Sequence, residues 1–597
     1  MPASADPRSE YSSRLEQREL RVKALHRRHI WIGNFRILVF IIIAVLWWRI
    51  GKTGSPSLYW LIVAIAAFIA LIVIHTQVMQ LTQSAKRAAA YYSRGLARLE
   101  DRWAGSGETG EQFRREEHVY ADDLDILGPE SLYQLLCSAR TRMGKELLAQ
   151  WLLTQASVEA IRERQRAVRE LADKIDFRED LAVIGKSDHI QADPHKLVAW
   201  ASQKPVLDYR RWWPWIAAWT LIATGAVVYG IVVREFAPAA LAVLFNMVIG
   251  YAFRRPLQLV FGELDSACRN LEDIAAIVKR IEAESFQNSR MQALQQQLMT
   301  EDGPPSKVLA QLDRLYDLAE SRANMFVQVF NLVFLYGLHV AFALERWRTR
   351  YSKNVEEWLQ VAGEVEVLAS IGAYTFEHPE DPFPEFAVED QRGCYEGESL
   401  GHPLLPADKC VRNSVTLGGE SQMMMVSGSN MSGKSTLLRV VGINAVLAMM
   451  GAPVRARRLL LTPVVVGASM RISDSLRKGV SHFYAEISRI RDVVALAGGK
   501  RLLFLFDEIL QGTNSHDRRA GTEGILKTLL EHDAIGLVTT HDLALTSIAE
   551  IFPEKIRNVH FQEKLETGKL LFDYQLREGV VTTSNGVELM RSVGLDV

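Results

Sequence analysis

A glycine-rich loop between an apolar run and an amphipathic run constrains this chain more than any other feature. Residues 422–439 read QMMMVSGSNMSGKSTLLR, and the loop fits the pattern G-x-x-x-x-G-K-[ST] at Gly428, Gly433, Lys434 and Ser435. The pattern predicts a strand, a loop and a helix, in which glycines let backbone N–H groups curl round a phosphate chain. Lys434 is expected to reach the outer phosphates, and the Ser435 hydroxyl to bind Mg²⁺. An ordinary glycine-rich turn would need neither residue, so we predict a nucleoside triphosphate site.

Two carboxylates follow a second apolar run. Residues 501–508 read RLLFLFDE, which predicts a buried strand that ends in Asp507 and Glu508. At such a strand end the Asp is suited to hold Mg²⁺ through water, and the Glu to polarise the attacking water. We therefore assign Asp507 to the metal and Glu508 to catalysis. On these residues alone, the alternative that the two acids begin a helix stays open.

Length, charge and cysteine content limit the other possibilities. A chain of 597 residues has room for several domains, since single cores seldom grow past roughly 250 to 300 residues. The 69 Lys and Arg against 70 Asp and Glu create no global basic field for nucleic acid, so a polyanion must bind at local patches. The four cysteines form no C-x-x-C pair, which argues against a zinc module or a disulfide framework and favours a reducing compartment.

Four uncharged blocks predict membrane-spanning helices. The first pair covers residues 37–48 and 57–74, and the second pair covers residues 212–233 and 236–253. A bilayer core requires roughly 20 apolar residues, and a short turn joins each pair, so we predict two transmembrane hairpins. Lys and Arg crowd the flanks of both pairs on one side, which is expected to be cytoplasmic. Buried core helices are the alternative, and it stays open for residues 37–48.

This topology predicts an integral protein of the cell (inner) membrane with the nucleotide site in the cytoplasm. A further apolar run, residues 325–344, contains Gln328, Asn331 and His339, which would be costly in lipid. A fifth span would also carry the nucleotide site outside, away from ATP. We therefore predict that residues 325–344 form a buried helix of the soluble part.

Two helical stretches between the hairpins carry a family resemblance. Residues 131–153 (SLYQLLCSARTRMGKELLAQWLL) and 161–171 (IRERQRAVREL) resemble the core or lever region of MutS-type mismatch-repair ATPases. Charge-rich helical sequence resumes at residue 256, as the resemblance implies for a lever helix that leaves the core and returns. The second hairpin then lies where MutS proteins carry their DNA-clamp insertion, so a membrane anchor would replace a DNA-gripping element.

The resemblance continues from residue 401 onward. GHPLL (401–405), VRN (411–413) and SGSNMSGKST (427–436) are similar to the start of the MutS ATPase domain and to its phosphate loop. The resemblance implies that ATP is the nucleotide. It also implies that four further residues of the loop bind ATP, namely Asn430, Met431, Ser432 and Thr436. Where the family usually has an aromatic residue that stacks on adenine, this chain has Cys410. The choice between adenine and guanine therefore stays open.

Two more residues receive catalytic roles from the resemblance. His541, in the run TTHD after an apolar strand, is similar to the family's switch histidine that faces the γ-phosphate. Residues 467–487 (GASMRISDSLRKGVSHFYAEI) resemble the MutS segment in which a serine, here Ser481, reaches the phosphate of the partner subunit. A serine that acts in trans implies a homodimer with composite sites, in which the catalytic residues are Glu508, His541 and Ser481.

Together these patterns predict a C-terminal α/β P-loop ATPase domain of the ABC/MutS type, preceded by an all-α core and lever and by two transmembrane helical hairpins. The predicted parts are a basic cytoplasmic tail (1–30), transmembrane hairpin 1 (31–75), a helical linker (76–117), the first part of the core and lever (118–208), transmembrane hairpin 2 (209–255), the second part of the lever (256–380) and the ATPase domain (381–597).

The expected function is that of a membrane-anchored MutS-family ATPase, related to DNA mismatch repair, that binds DNA. The sequence has no Phe-x-Glu wedge and no room before the core for mismatch-reading and connector domains, so we expect weak, salt-dependent DNA binding without mismatch preference. One alternative is an ABC-type transporter ATPase, although KGVSHFYAE stands where such proteins carry an L-S-G-G-Q-like signature. Another is a membrane scaffold that uses nucleotide-driven dimerisation without DNA.

Overall fold

The computed structural model describes residues 6–53, 58–115, 117–185, 193–268, 271–300, 303–387, 393–419, 421–429, 432–471, 482–566 and 569–581. Within these residues, helices and their connecting loops occupy the chain up to residue 377, and the strands of the sheets begin at residue 385. A helical N-terminal region therefore precedes a C-terminal region of mixed α/β sheets, which confirms the predicted order.

Two long helices, α1 (Pro7–Thr53) and α2 (Leu58–Leu99), form an antiparallel hairpin. The helices pack along each other, and the ring centroids of His29 and His75 lie 4.5 Å apart. At 1.5 Å per residue, α1 is roughly 70 Å long. The predicted boundaries at residues 30 and 75 fall inside these continuous helices, so the basic tail is the polar end of the same hairpin. The predicted linker is helical only up to residue 99 and then becomes a loop with one short 3₁₀ turn.

Buried polar contacts attach the base of this hairpin to the helical core. The Arg98 guanidinium donates to Glu377, with Nε 2.6 Å from the carboxylate, and Tyr11 donates to the same carboxylate at 3.3 Å. On another face of the base, Arg18 pairs with Glu179 at 2.7 Å. Because a buried charge is stable only when it is paired, these contacts define one docked position for the base of the hairpin.

The helical core follows in chain order as α3 (Leu132–Leu136), α4 (Arg142–Leu153), α5 (Val158–Asp173), α6 (Ile175–Val183), α7 (Pro194–Ser202), α8 (Tyr209–Val233), α9 (Ala237–Ala252), α10 (Arg254–Gly262), α11 (Leu264–Cys268), α12 (Leu271–Ala283), α13 (Ser289–Leu298), α14 (Pro305–Glu320), α15 (Met325–Phe334) and α16 (Tyr336–Glu377). The side chains of Ser131, Thr141 and Ser157 accept backbone N–H groups at the starts of α3, α4 and α5, as N-cap residues do. Helix α16 is the axis of this region, because α4, α5, α7 and α14 all pack against it.

A buried carboxylate on α16 fixes the start of α4. Glu366 accepts hydrogen bonds from the backbone N of Arg140 at 2.9 Å and of Thr141 at 3.2 Å, and from the Thr141 hydroxyl. Burial raises the pKa of Glu366, and the hydrogen bonds from Thr141 and Arg140 oppose that shift. The backbone N–H groups at the start of a helix have no partners inside the helix. Glu366 accepts hydrogen bonds from such groups and therefore joins α16 to the start of α4.

Several helices are long and apolar enough to cross a membrane. Among the described residues, α1, α2 and α8 each meet this criterion by length and composition. Two bent pairs also meet it when each is taken as one unit: α9 with α10 and α11, bent by 59°, and α15 with α16, bent by 83°. The apolar windows of α1 and α2 are not buried by any other part of the described structure.

The prediction of a buried helix over residues 325–344 is wrong for the first half of the run and confirmed for the second half. The chain breaks at Leu335, which has a left-handed backbone (φ 49°). Helix α15, before the break, has no buried residue, whereas the following turns of α16 are packed into the core. Hydropathy could not show this difference, because both halves of the run are apolar and only the bend separates them.

The strands of the C-terminal region are β1 (Glu385–Phe386), β2 (Tyr395–Leu400), β3 (Asn413–Leu417), β4 (Met423–Ser427), β5 (Arg458–Leu461), β6 (Val465–Ser469), β7 (Leu502–Phe506), β8 (Ile535–Thr540), β9 (Ile556–Glu566) and β10 (Lys569–Glu578). The helices between them are α17 (Lys434–Met450), α18 (His482–Leu496), α19 (Ser515–Glu531), α20 (Leu543–Thr546) and α21 (Ile548–Ile551).

These strands form two sheets, of which the larger positions the predicted site. Its order is β10-β9-β4-β8-β7-β6, and the smaller sheet has the order β1-β5-β2-β3. Every residue of β4 is buried, and β8 and β9 flank it as parallel neighbours. Strand β7 is parallel to β8 on the other side. The carboxyl ends of β4, β7 and β8 therefore meet at one edge, the place where open α/β sheets bind ligands.

We expect Glu377→Leu to loosen the base of the α1–α2 hairpin. The change leaves the Arg98 guanidinium buried without its charge partner, which costs about 3–5 kcal/mol for such pairs. The midpoint of thermal unfolding, measured in detergent, should fall by several degrees. Glu100→Leu is the matched control, since Glu100 pairs with Arg8, whose side chain is 67% exposed, and exposed pairs contribute little. Equal losses in the two variants would contradict the docking that we describe.

Candidate nucleotide site

The phosphate loop leaves the carboxyl end of β4 and runs into the start of α17. Gly428 has a φ of 150° and Gly433 a φ of 99°, and a Cβ at Gly428 would lie 2.7 Å from the Ser432 Oγ. A side chain at Gly428 would therefore collide with the loop itself. Ser432 donates to the Ser429 carbonyl at 2.7 Å and closes the turn. Asn430 and Met431, which we also expect at the nucleotide, lie outside the described residues.

Lys434 is folded across this loop. Its side chain is 2% exposed, and its Nζ lies 3.4 Å from Glu508 Oε1. The same Nζ donates to the carbonyls of Gly428 at 2.7 Å and Ser429 at 2.9 Å. Burial lowers the pKa of Lys434, and the nearby Glu508 carboxylate opposes that shift. The ammonium therefore lies where the predicted phosphates would be held, with an anion as its neighbour.

The two acids after β7 are held in place by Thr539 of β8. The Thr539 hydroxyl donates to Asp507 Oδ1 and accepts from the backbone N of Glu508 at 2.9 Å. Glu508 has a positive φ of 50°, which is uncommon for a residue with a side chain and costs energy. Thr539 therefore links both acids to the neighbouring strand.

His541 reaches the same point from the end of β8. Its Nδ1 lies 3.5 Å from Glu508 Oε2, and its side chain is 46% exposed. Gln511 donates to the same Glu508 oxygen. The structure thus brings together Lys434, Glu508 and His541 at one sheet edge, although Lys434 and His541 are more than 100 residues apart in the sequence. Asp507 lies directly beside them, and its charge acts on Lys434.

A cavity of about 500 Å³ opens beside the phosphate loop, within the size range of small-molecule sites, roughly 300–1,000 Å³. Ser435 and Thr436, at the start of α17, form part of its wall together with Lys434. The lining also includes Leu400, His402, Leu405, Lys409, Cys410, Val411, Asn413, Phe561 and Tyr574. Cys410 therefore lies at the cavity, at the position where the resemblance would have an aromatic side chain.

Tyr574 supplies an aromatic ring to this cavity from another element. A Cβ built on Gly433 would lie 3.1 Å from the Tyr574 ring, so the ring covers the last glycine of the loop. Tyr574 has a φ of 54° and lies where the β9–β10 pairing shifts register. Asn413 fixes this irregular backbone, since its amide donates to the Tyr574 carbonyl at 2.9 Å and accepts from the Leu576 N–H at 2.8 Å. A strained backbone held on both sides is typical of a functional position.

Sequence reasoning missed the positioning roles of Thr539 and Asn413. Both belong to runs that the sequence analysis quoted, TTHD and VRN, but their hydrogen-bond partners are far away in the chain. Tyr574 follows Phe572 by two residues in β10, and the two rings stack, but nothing in the sequence placed Tyr574 at the loop. Ser481, the predicted trans residue, lies outside the described residues.

His402 is buried at the cavity wall. Its Nδ1 accepts a hydrogen bond from the backbone N of Leu404 at 3.2 Å, which requires this nitrogen to be unprotonated. Burial lowers the pKa of His402 to about 4, and the positive charge of Arg439 acts in the same direction. The neutral imidazole is therefore the form that the folded chain stabilises.

The region that contains the site is similar to known proteins. Residues 424–596 match the family model described as MutS domain V. The DNA mismatch repair protein MutS of Geobacillus kaustophilus is 32% identical over 255 residues, which cover 41% of this chain and 28% of that protein. For the DNA mismatch repair protein MutS of Bacillus subtilis, the identity is 32% over 211 residues, 34% of this chain and 24% of that protein. Endonuclease MutS2 of Thermus thermophilus is 30% identical over 293 residues, 47% of this chain and 38% of that protein. The similarity therefore spans well under half the length of each of these relatives.

We expect His402→Asn to remove a pH-dependent part of the stability, since Asn offers an acceptor near the place of Nδ1 but does not titrate. In the wild type the unfolded histidine binds a proton below about pH 6.5, while the folded one stays neutral to about pH 4. The free energy of unfolding should therefore fall as the pH drops, by about 2–3 kcal/mol between about pH 7 and about pH 4.5. Urea unfolding of both proteins at these two pH values checks this. An equal loss in the wild type and the variant would show that His402 is not the residue responsible.

Proposed function

We propose that this chain, a MutS-family protein by its domain V and its homology to MutS and MutS2 proteins, is a membrane-anchored ATPase whose nucleotide cycle controls the binding of DNA. One observation carries the ATPase part of the proposal. Lys434, Glu508 and His541 meet at the carboxyl edge of one sheet, next to a glycine loop and a cavity of about 500 Å³. This edge lies within the segment that matches MutS domain V.

Each side chain at this edge receives one role. Lys434, already placed among the carbonyls of the loop, binds the outer phosphates of ATP. Glu508 orients the attacking water and accepts its proton, and the Thr539 hydroxyl keeps the backbone of Glu508 in the required conformation. His541, within 3.5 Å of Glu508, faces the γ-phosphate and changes its contacts when that phosphate is lost.

The residues assigned to Mg²⁺ fit a hard cation. Ser435 at the start of α17 offers a hydroxyl and Asp507 a carboxylate, and oxygen ligands of this kind, completed by water and phosphate, are what Mg²⁺ prefers. Bound there, the ion would neutralise charge on the phosphates. The Thr539 hydrogen bond to Asp507 would hold that carboxylate in position.

The cavity wall supports a purine base as the other part of the ligand. Tyr574 gives an aromatic face beside the loop, and the strain at its backbone is held by Asn413. The Tyr574 ring of β10 would therefore take the role of the family's aromatic residue, whose position is occupied by Cys410 in this chain. Stacking alone does not choose between adenine and guanine, so ATP rests on the family relationship.

Membrane anchoring is supported by the shape and surface of the α1–α2 hairpin. The apolar residues of its outer part are exposed, including Trp47 and Trp48 at the turn, while Trp31 is exposed further down α1. Trp31 and Trp47 are separated by roughly 24 Å along the helix axis, close to the roughly 30 Å of a hydrocarbon core. Tryptophans at two levels are typical of the two membrane interfaces. The polar base, docked on the core, would then remain on the cytoplasmic side.

The dimer and DNA parts of the proposal rest on the family. Two of the similar proteins named above are described as DNA mismatch repair proteins. A homodimer with a site completed by Ser481 of the second copy remains a prediction, because this residue is outside the described structure. With a hairpin at the clamp position, base-level readout has no source in the described residues, and phosphate contacts remain.

We expect Lys434→Ala and Glu508→Gln to separate nucleotide binding from turnover. Loss of Lys434 removes the positive charge at the outer phosphates and should weaken ATP binding at least tenfold, measured with a fluorescent ATP analogue. Glu508→Gln keeps the shape of the site but removes the proton acceptor, so binding should persist while phosphate release falls by about 10²–10⁴-fold. Glu523→Gln, in the middle of α19, is a matched control that should retain turnover. Wild-type turnover in Glu508→Gln would disprove the assigned role.

The DNA part predicts equal affinity for a perfect duplex and a duplex with one mismatch. Affinity for both should fall at least tenfold between about 50 and about 200 mM salt, since released counterions drive the binding. Gel-shift titrations of the two duplexes at each salt concentration, with ATP present, provide the measurement. A clear mismatch preference would restore a role in mismatch repair. No binding at the lower salt concentration would instead support the alternative of a membrane scaffold that does not bind DNA.

A further inference from the structure

Helix α15 presents an apolar surface that no described residue covers. Its large side chains are mostly exposed, with Met325 at 73%, Phe326 at 74%, Val329 at 61% and Phe330 at 59%. These positions follow each other at helical spacing, so they form one face. The helix nevertheless packs against α8 and α9, the predicted second membrane hairpin. Its exposed face is therefore continuous with the apolar surface of that hairpin.

The end of α15 is closed by a side chain of the hairpin. Asn246 of α9 donates through Nδ2 to the carbonyls of Leu332 at 2.8 Å and Val333 at 2.9 Å. Its own Oδ1 accepts from the Trp219 indole of α8 at 2.7 Å. Asn246 is 2% exposed. Carbonyls at a helix end need partners, and water cannot supply them in an apolar environment, so this arrangement suits a helix end that is shielded from water.

Two polar side chains near the bend each make a hydrogen bond within the chain. Asn331 accepts from the backbone N of Gly337 at 2.8 Å, across the break at Leu335. His339, at the start of α16, lies 3.0 Å from the Thr220 hydroxyl of α8. They are two of the three polar residues, with Gln328, that argue in the sequence against contact with lipid. These hydrogen bonds inside the chain lower the cost of placing Asn331 and His339 next to lipid.

The bend sets the direction of α15 relative to the hairpin. The first turns of α16 run beside α8, as the contact between His339 and Thr220 and a shared cavity with Tyr209 and Trp347 show. The angle between α15 and α16 is 83°. If α8 and the first turns of α16 both follow the membrane normal, α15 lies close to the membrane plane. Residues 325–344 then enter and leave the membrane on the same side, and the nucleotide site stays in the cytoplasm.

We propose that α15 is an in-plane membrane helix, with its apolar face against the acyl chains of the leaflet that faces the nucleotide site. The proposal rests on the membrane anchoring proposed above and extends it from two hairpins to a third element. Arg322, just before α15, stacks on the Phe261 ring with its Cζ 3.1 Å from the ring centroid. A cation at the start of an apolar helix matches the headgroup level of an interfacial helix.

The position of α15 ties the bilayer directly to the long axis of the core. Helix α16 continues without interruption from Tyr336, at the membrane end, to Glu377, roughly 63 Å away at 1.5 Å per residue. Just beyond that end, Asp381 pairs with Arg455 of the C-terminal region at 3.2 Å. A displacement of the ATPase region would therefore act on the leaflet through one rigid helix.

Photo-crosslinking in vesicles tests the proposal. The full chain is reconstituted into phosphatidylethanolamine and phosphatidylglycerol vesicles with p-benzoylphenylalanine in place of Phe330, Leu221 or Leu543. Leu221 of α8 is 75% exposed and serves as the membrane control, and Leu543 of the ATPase region is 46% exposed and serves as the soluble control. We expect lipid adducts at Phe330 within about threefold of the yield at Leu221, and none at Leu543.

The outcomes separate the two proposals. Lipid adducts at Leu221 without any at Phe330, or protein adducts at Phe330, would overturn the in-plane helix and leave the anchor intact. An absence of lipid adducts at Leu221 as well would overturn the anchor and this inference with it.

A second variant tests the closure of the helix end. Asn246→Leu has a similar size but cannot donate to the carbonyls of α15, so deuterium uptake of residues 325–334 should rise. Met247→Leu, on the exposed side of α9, is the matched control and should leave the uptake unchanged. Equal uptake in wild type and Asn246→Leu would overturn the role of Asn246 in holding α15.

Discussion

Parallel pairing of β4 with β8, and of β8 with β7, is the constraint on which the candidate site depends. Parallel strands end at the same edge, so the loop after β4, the acids after β7 and the histidine after β8 cannot be far apart. Every residue of β4 and β7 is buried, so the core holds both strands, and the edge at which they end, in place. The chemistry at the edge is therefore a consequence of strand order.

Polar groups buried away from water decide how the helical region is joined. Glu366 holds the start of α4, Glu377 holds Arg98 of α2, and both carboxylates lie on α16. Each contact is unfavourable if one partner is lost, so the axis, the core and the hairpin base are fixed relative to one another. The C-terminal α/β region is connected to the end of the same axis through the pair of Asp381, just beyond α16, and Arg455. The proposed link between nucleotide and membrane follows this chain of contacts.

The apolar surfaces that remain exposed lie on a few elements. They are concentrated on the outer part of α1 and α2, on α8 and α9, and on α15. Soluble proteins seldom leave contiguous apolar patches that cover whole helix faces exposed to water. In the proposed arrangement the bilayer covers all of them, while the docked base of the first hairpin and the whole ATPase region stay in water.

Local sequence signals were sufficient for much of this protein. The glycine loop, the strand before Asp507 and Glu508 and the apolar helices were predicted from local spacing, and the order of the helical and α/β regions followed from the family resemblance. The roles of Thr539, Asn413 and Tyr574 could not be predicted, since their partners come from distant strands and from a register shift between β9 and β10. The helix break at Leu335 could not be predicted for a related reason. Periodicity and hydropathy describe both halves of residues 325–344 alike, and only the packing of α16 in the core and the closure of α15 by Asn246 separate them. The sequence by itself determined the glycine loop, the strand before the two acids and the apolar runs, because these patterns depend on neighbouring residues. The tertiary structure alone decided which polar groups meet, because hydrogen bonds between distant segments form only after the fold brings them together.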